Sequence, residues 1–133
     1  MTHRSRLTHI VLDVDDLDAA AAFWAPALRA TEESIQPASR AVYRRFELPG
    51  EDVRLLLHRV ADPTAGKPRA HLDIETDDVE AEVARLESLG ARRARFEAER
   101  TSGFWVLDTP CGHALCVLPP EQPDLLARAT PPG

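Results

Sequence analysis

Apolar and polar side chains alternate along residues 7–14, with Ile10, Leu12 and Val14 on one face and His9, Val11 and Asp13 on the other. A period of two predicts a half-buried strand. The period then lengthens: Leu17, Ala20, Ala21, Trp24 and Leu28 recur at the spacing of one helix face. Asp15 is the expected N-cap, and Asp18, three residues on, resembles the acidic half of a capping box. Pro26 falls late in the stripe and is expected to kink or end the last turn. Strands are predicted at 31–35, 41–48 and 53–60, with Pro49-Gly50 as the turn between the last two.

The same order returns. Residues 70–76 alternate, with Leu72 and Ile74 on one face and His71, Asp73 and Glu75 on the other. Asp77 is the expected cap of a helix whose buried stripe is Val79, Val83, Leu86 and Leu89, and Gly90 is its stop. Further strands are predicted at 91–98, 103–107 and 114–118, with a turn at 108–112 before the last. The stretch His9-Ile-Val-Leu-Asp-Val-Asp-Asp-Leu-Asp-Ala19 and the stretch His71-Leu-Asp-Ile-Glu-Thr-Asp-Asp-Val-Glu-Ala81 are thus two copies of one pattern. A supersecondary unit repeated in this way needs a neighbour to bury its apolar face. The expected organisation is a first module at 1–60, a Pro- and Gly-rich linker at 61–68 and a second module at 69–118. The tail at 119–133 holds five of the eleven prolines. It reads as a loosely attached extension with a short helix at 124–129.

Composition narrows the function. The 133 residues carry a formal net charge of −6, which excludes the Lys/Arg surplus expected of a nucleic-acid binder. Basic clusters at Arg44-Arg45 and around Arg92, Arg93 and Arg95 are flanked by acids and read as solvated strand surface. No run approaches the ~18 apolar residues of a membrane span, and the start lacks a signal-type apolar core. A cytoplasmic protein with reduced thiols is therefore expected. Cys111 and Cys116 flank a turn beside His113, but a second ligand pair at zinc-site spacing is missing.

The strands that open each copy are apolar on one face. Their other faces carry His9 and Asp13, or His71, Asp73 and Glu75. Such faces can simply meet water. If the sheets curl, the same faces line a concavity in which histidines bind a metal or move protons.

The duplicated β-α-β-β-β pattern, the strand-initial histidines, the Asp-Asp helix starts, Ala22-Phe23-Trp24, Arg69-Ala-His-Leu-Asp-Ile74 and the ending Trp105-Val-Leu-Asp-Thr-Pro-Cys-Gly-His-Ala-Leu-Cys-Val117 carry a resemblance. The chain resembles the vicinal oxygen chelate superfamily, in particular its glyoxalase-like and bleomycin-resistance-like domains, over residues 6–118. The resemblance implies an α+β fold of two β-α-β-β-β modules, a curved eight-stranded sheet enclosing a cavity, and a homodimer binding a small-molecule ligand or substrate.

Metal-dependent members draw ligands from the first and last strands of each module. Carried over, these are His9 and His71, with Leu56 or His58 on the fourth strand. Ala114 stands where a Glu is expected two residues after Gly112. With His58, the resemblance implies a three-histidine site for a divalent ion such as Zn, Ni, Mn or Fe. Lacking the Glu, the chain departs from a standard glyoxalase, leaving a lyase, isomerase or dioxygenase in which Asp73 or Glu75 serves as acid or base. The alternative is a metal-free protein that sequesters a ligand, as resistance members do, with Tyr43, Phe46, Phe104, Trp105 and Cys116 as ligand-lining residues.

Overall fold

Strand alternation and helix capping build eight strands, three α-helices and one short 3-10 turn (Pro37–Ser39) among the described residues. The computed structural model describes residues 3–63, 69–98, 102–110 and 113–129. The chain divides into two compact units, one of His9–His71 and one of Met1–Thr8 with Leu72–Gly133.

In the first of these units, β1 (Ser5–Val14), which begins in the other unit, leads into α1 (Leu17–Leu28), β2 (Thr31–Glu33), β3 (Tyr43–Glu47) and β4 (Arg54–Arg59). β4 lies parallel to β1, β3 antiparallel to β4, and β2 antiparallel to β3. Gly50 takes the positive φ of 73° that the β3–β4 turn requires. Leu17 and Ala21 of α1 pack on Phe46, Leu55 and Leu57, with Leu12, Val14 and Trp24 around them. The helix covers only the far end of β1, so Ile10, expected beneath it, is 38% exposed.

The other unit repeats the scheme with β5 (Ala70–Thr76), α2 (Val79–Ser88), β6 (Arg92–Ala98), β7 (Gly103–Asp108) and β8 (Ala114–Leu118). β8 runs parallel to β5, with β7 and β6 following antiparallel. Val83 and Leu86 of α2 pack on Leu107, Val117 and Ala91. Arg93 of β6 ties strand to helix through Glu80 and Glu87, and its guanidinium lies 4.8 Å from the Trp105 ring centroid. Among the described residues, no helix is long and apolar enough to cross a membrane.

The structure shifts both expected helix caps by one residue. Asp16, not Asp15, accepts from Ala19 N at 3.0 Å, and Asp78, not Asp77, accepts from Ala81 N at 3.0 Å. The side chain that caps must reach the amide three residues on, and in both copies the second aspartate does so. Asp77 instead accepts from Arg4 N at 2.8 Å. Pro26 does not stop α1, which continues to Leu28 and closes at Arg29 with a φ of 53°. Leu89, expected in the buried stripe, is exposed because α2 ends one residue earlier and Gly90 turns the chain at φ 110°.

The tail is anchored, contrary to expectation, as far as residue 129; 130–133 lie outside the described residues, as do 64–68 of the expected linker. Helix α3 (Pro123–Ala127) buries Leu126, and Glu121 N and Gln122 N donate to Glu75 Oε1 at 2.9 and 2.8 Å. Glu75 Oε2 pairs with the Arg6 guanidinium. The Pro-rich composition hid this, because the acceptor lies 46 residues away in sequence.

A second buried carboxylate stands on α2. Glu82 binds Arg85 at 2.8 Å and His3 at 2.8 Å. Burial raises its pKa, but hydrogen bonds from Arg85 and His3 outweigh that and hold it below the ordinary carboxylate value.

Two outcomes follow. Glu75→Ala, which leaves the Arg6 charge without its buried partner, is expected to cost about 3–5 kcal/mol in urea unfolding and to speed proteolysis within residues 119–129. For Glu82, a depressed folded pKa contributes stability above the unfolded value of about 4.3, lost as pH falls through the lower folded value. The stability gap between the wild type and Glu82→Gln is therefore expected to be full at neutral pH and to shrink below about pH 4.3 in pH-dependent unfolding.

Candidate metal centre on β5 and β8

β5 places His71, Asp73 and Glu75 on one face by simple alternation. The parallel register sets Asp73 directly beside Cys116 of β8. One nitrogen of His71, one carboxylate oxygen of Asp73 and the sulfur of Cys116 all lie within 4.8 Å of one another. Asp73 and Cys116 are 5% and 6% exposed. His71 ends one compact unit and Leu72 begins the other, but His71 and Asp73 belong to one unbroken strand. Among the described residues, this is the only group of three or more His, Cys, Asp or Glu side chains spaced for an ion.

The electrostatics of the trio are those of a dry site. Burial, reinforced by the neighbouring Asp73 carboxylate and a hydrogen bond to it, pushes the Cys116 thiol far above its ordinary pKa. The sulfur therefore rests as a neutral thiol. Arg95 opposes this shift without overcoming it, whereas an ion bound beside the sulfur would favour thiolate, since a coordinating thiol is deprotonated by the ion's charge. A nitrogen, a sulfur and an oxygen donor within this span fit a first-row divalent ion, and the sulfur favours zinc over manganese.

The other sequence candidates fall elsewhere. His9 is buried on β1 opposite Arg54, whereas His58 on β4 stands opposite Asp13. Four residues of strand separate those pairs, roughly 13 Å, so the structure does not bring His9 and His58 of the expected three-histidine site together. His58 does leave the helix side, since Leu55 and Leu57 occupy that core. It is held there by Asp13 at 3.2 Å and by stacking on Tyr43, ring centroids 4.9 Å apart. Glu75 is engaged elsewhere: its Oε1 accepts from the Glu121 and Gln122 amides and its Oε2 pairs with Arg6.

The aromatic candidates divide by strand parity. Phe46 is core beneath α1 rather than a ligand contact, and Trp105 packs among the α2-facing residues. Phe104, its neighbour, joins Val106, Cys116 and Leu118 on the opposite face. Tyr43 also borders a concavity of about 380 Å³ with Glu32, Arg40 and Arg44.

Ala114, where the resemblance implies a donor on β8, offers none, but Cys116, two residues on and on the same face of the strand, lies beside Asp73. The alternation Ala114, Cys116, Leu118 was the available signal, and counting from Gly112 obscured it. Cys111 and Gly112 themselves lie outside the described residues.

Comparison with known proteins follows this geometry. A family model described as a glyoxalase-like domain matches residues 9–118. No curated protein matches the chain. Among solved structures, the methylmalonyl-CoA epimerase from Mycobacterium tuberculosis is similar at 22% identity and a TM-score of 0.61, covering 91% of each chain. A glyoxalase/bleomycin resistance protein/dioxygenase superfamily member from Vibrio splendidus 12B01 gives 15% identity and a TM-score of 0.60, covering 87% of this chain and 99% of that one. A hypothetical protein from Bacillus halodurans C-125 gives 13% identity and a TM-score of 0.66, over 89% and 96%. At these identities the likeness shows the fold. With the family match spanning most of its length, the chain belongs to the glyoxalase-like domain family.

Proposed function

We propose that this protein binds a small oxygen-bearing molecule at the β5–β8 face and acts on it with a divalent ion held by His71 and Cys116. The observation that carries the reading is the trio of nitrogen, sulfur and carboxylate donors within 4.8 Å, two of them buried. Bound there, such an ion supplies Lewis-acid polarisation of a ligand oxygen. Asp73 provides the carboxylate of the site and is the group able to accept or return a proton. Glu75, committed to the tail and Arg6, leaves that task to Asp73. Proton transfer beside a carbonyl, as in an isomerase or lyase, fits this set best. A fold neighbour is by name an epimerase, a class of enzyme that inverts a stereocentre.

Zinc is the preferred ion, because thiolate and imidazole together are soft and borderline donors. Freshly purified protein is expected to contain close to one equivalent of metal, and metal-depleted protein to take up Co(II) with a sulfur-to-cobalt charge-transfer band. His71→Ala and Cys116→Ala are each expected to weaken that binding by roughly a hundredfold, in line with the share of one ligand in a zinc site. Asp73→Asn separates ligand from base: cobalt retained assigns proton transfer, cobalt lost assigns coordination. Purified protein that holds no metal and takes up neither Zn(II) nor Co(II) would sink the reading.

One observation favours a second reading. The Cys116 thiol, kept neutral and hydrogen-bonded to Asp73, is already a closed pair without an ion. In that case the protein sequesters a ligand unchanged. Ligand-dependent quenching of Trp24 or Trp105 fluorescence in metal-free protein, with the ligand recovered intact, is the outcome expected of it.

A further inference from the structure

β6 breaks its alternation once, at Ala94. Arg93 lies toward α2, bound to Glu80 and Glu87, and its partner across the ladder is Leu107 of the α2-facing core. Plain alternation would turn Arg95 the same way. The register shifts between Arg93 and Arg95, however, and Arg95 pairs with Val106. Val106 belongs to the opposite face, packed with Cys116 and Phe104. Two steps along β6 thus match one along β7, a bulge of the kind that re-aims a side chain.

The re-aimed arginine joins the row of the metal donors. Arg95 pairs with Val106, Val106 with Cys116 and Cys116 with Asp73, so the four form one line across β6, β7, β8 and β5. All four belong to the same compact unit. Directly paired residues share a face, and two strand spacings, about 10 Å, separate the Arg95 backbone from that of Cys116. The ground between them is apolar. Burial dominates the raised pKa of Cys116, and Arg95 is the charge that acts against it, which puts the guanidinium within electrostatic reach of the sulfur. The Arg95 side chain is 55% exposed, and among the described residues only its Nε is engaged, by Glu97 Oε1. Its two terminal nitrogens therefore present the fork that binds a carboxylate bidentately. An edge strand also uses charge and bulges to discourage pairing with other chains. A charge on either face serves that purpose, so it does not account for turning Arg95 toward Cys116.

We propose that Arg95 binds the anionic end of the ligand: the molecule held at the ion carries a carboxylate, which seats on the Arg95 guanidinium while an oxygen at its other end meets the metal. The inference rests on the metal reading given above and adds the substrate class to it, a short carboxylic acid with a metal-binding oxygen function at the far end. Glu97 is the positioning residue, holding the guanidinium through Nε. Arg6 is committed to Glu75, which leaves the anion to Arg95. A neutral ligand of the same length would leave the fork unfilled.

The test uses Co(II)-loaded full-length protein and two probes, 2-oxoglutarate and 2-oxopentanoate. They share a chelating 2-oxo acid head and the same chain length, and differ only in the terminal carboxylate. Affinities are read from the shift of the cobalt absorption bands in wild type, Arg95→Gln and Arg95→Lys. Wild type is expected to prefer 2-oxoglutarate by about tenfold, the worth of one hydrogen bond to a charged group. Arg95→Gln is expected to cut that preference to within about twofold, with Co(II) and 2-oxopentanoate affinities within about threefold of wild type. Arg95→Lys, a charge without the fork, is expected to fall between the two. No preference in wild type, or an undiminished preference in Arg95→Gln, overturns the role of Arg95 while leaving the metal site intact. Failure of wild-type protein to bind Co(II) overturns the metal reading, and the Arg95 proposal with it. Should Arg95→Gln not fold, a crystal structure of the cobalt-loaded wild type with 2-oxoglutarate decides. A carboxylate within about 3 Å of the terminal nitrogens of Arg95 supports the proposal, and none there overturns it.

Discussion

Three ionisable side chains follow one another along a single face of β5, and two of them, Asp73 and Glu75, are almost wholly removed from water. Desolvating a carboxylate costs several kcal/mol unless charge or hydrogen bonds replace its hydration. Much of the surrounding unit can be traced to that demand. Arg6 on β1 and the amides of Glu121 and Gln122 converge on Glu75. Cys116 on β8 meets Asp73 through the parallel register. The strand order, the docking of the tail and the placement of the first strand's start are therefore linked through one polar stripe. An apolar stripe at the same positions would not select these neighbours over others.

The same chemistry explains which features were readable in the chain. Repetition and the change of period from two to helical spacing located the strands and α1 and α2 to within a few residues, because those signals are local. The cap positions show the limit of local reading. Two adjacent aspartates begin each helix, and choosing between them depends on which carboxylate reaches the third amide, a matter of backbone geometry. Leu89 carried the right chemistry for a buried stripe, but the helix stopped before reaching it. Phe46 and Trp105 carried the right chemistry for a ligand contact, yet strand parity turned both toward a helix.

The site itself was half legible. His71 and Asp73 were visible because alternation on one strand is local. Cys116 was named only as a lining residue, since its meaning depends on a register with β5 that no sequence window contains. Glu82 shows the same limit: a charged residue on a helix normally reads as solvated, and only His3 and Arg85 show why it is buried.

The two copies of the repeat have diverged in electrostatics more than in backbone. On β4 and β3, the face that corresponds to the metal centre carries Arg54 and Arg45, both donating to Glu33 at 2.9 and 3.2 Å. Leu56, at one of the implied ligand positions, has Arg45 as its cross-strand partner. Two guanidiniums sharing one carboxylate leave local positive charge, which repels a divalent ion before ligand geometry is considered. His58 is likewise occupied by Asp13 and Tyr43. The later copy has the opposite character, with a carboxylate, a thiol and an imidazole side by side. Duplication supplied the scaffold twice, but the charges around each face make the copy that holds β5 and β8 the one electrostatically suited to a cation.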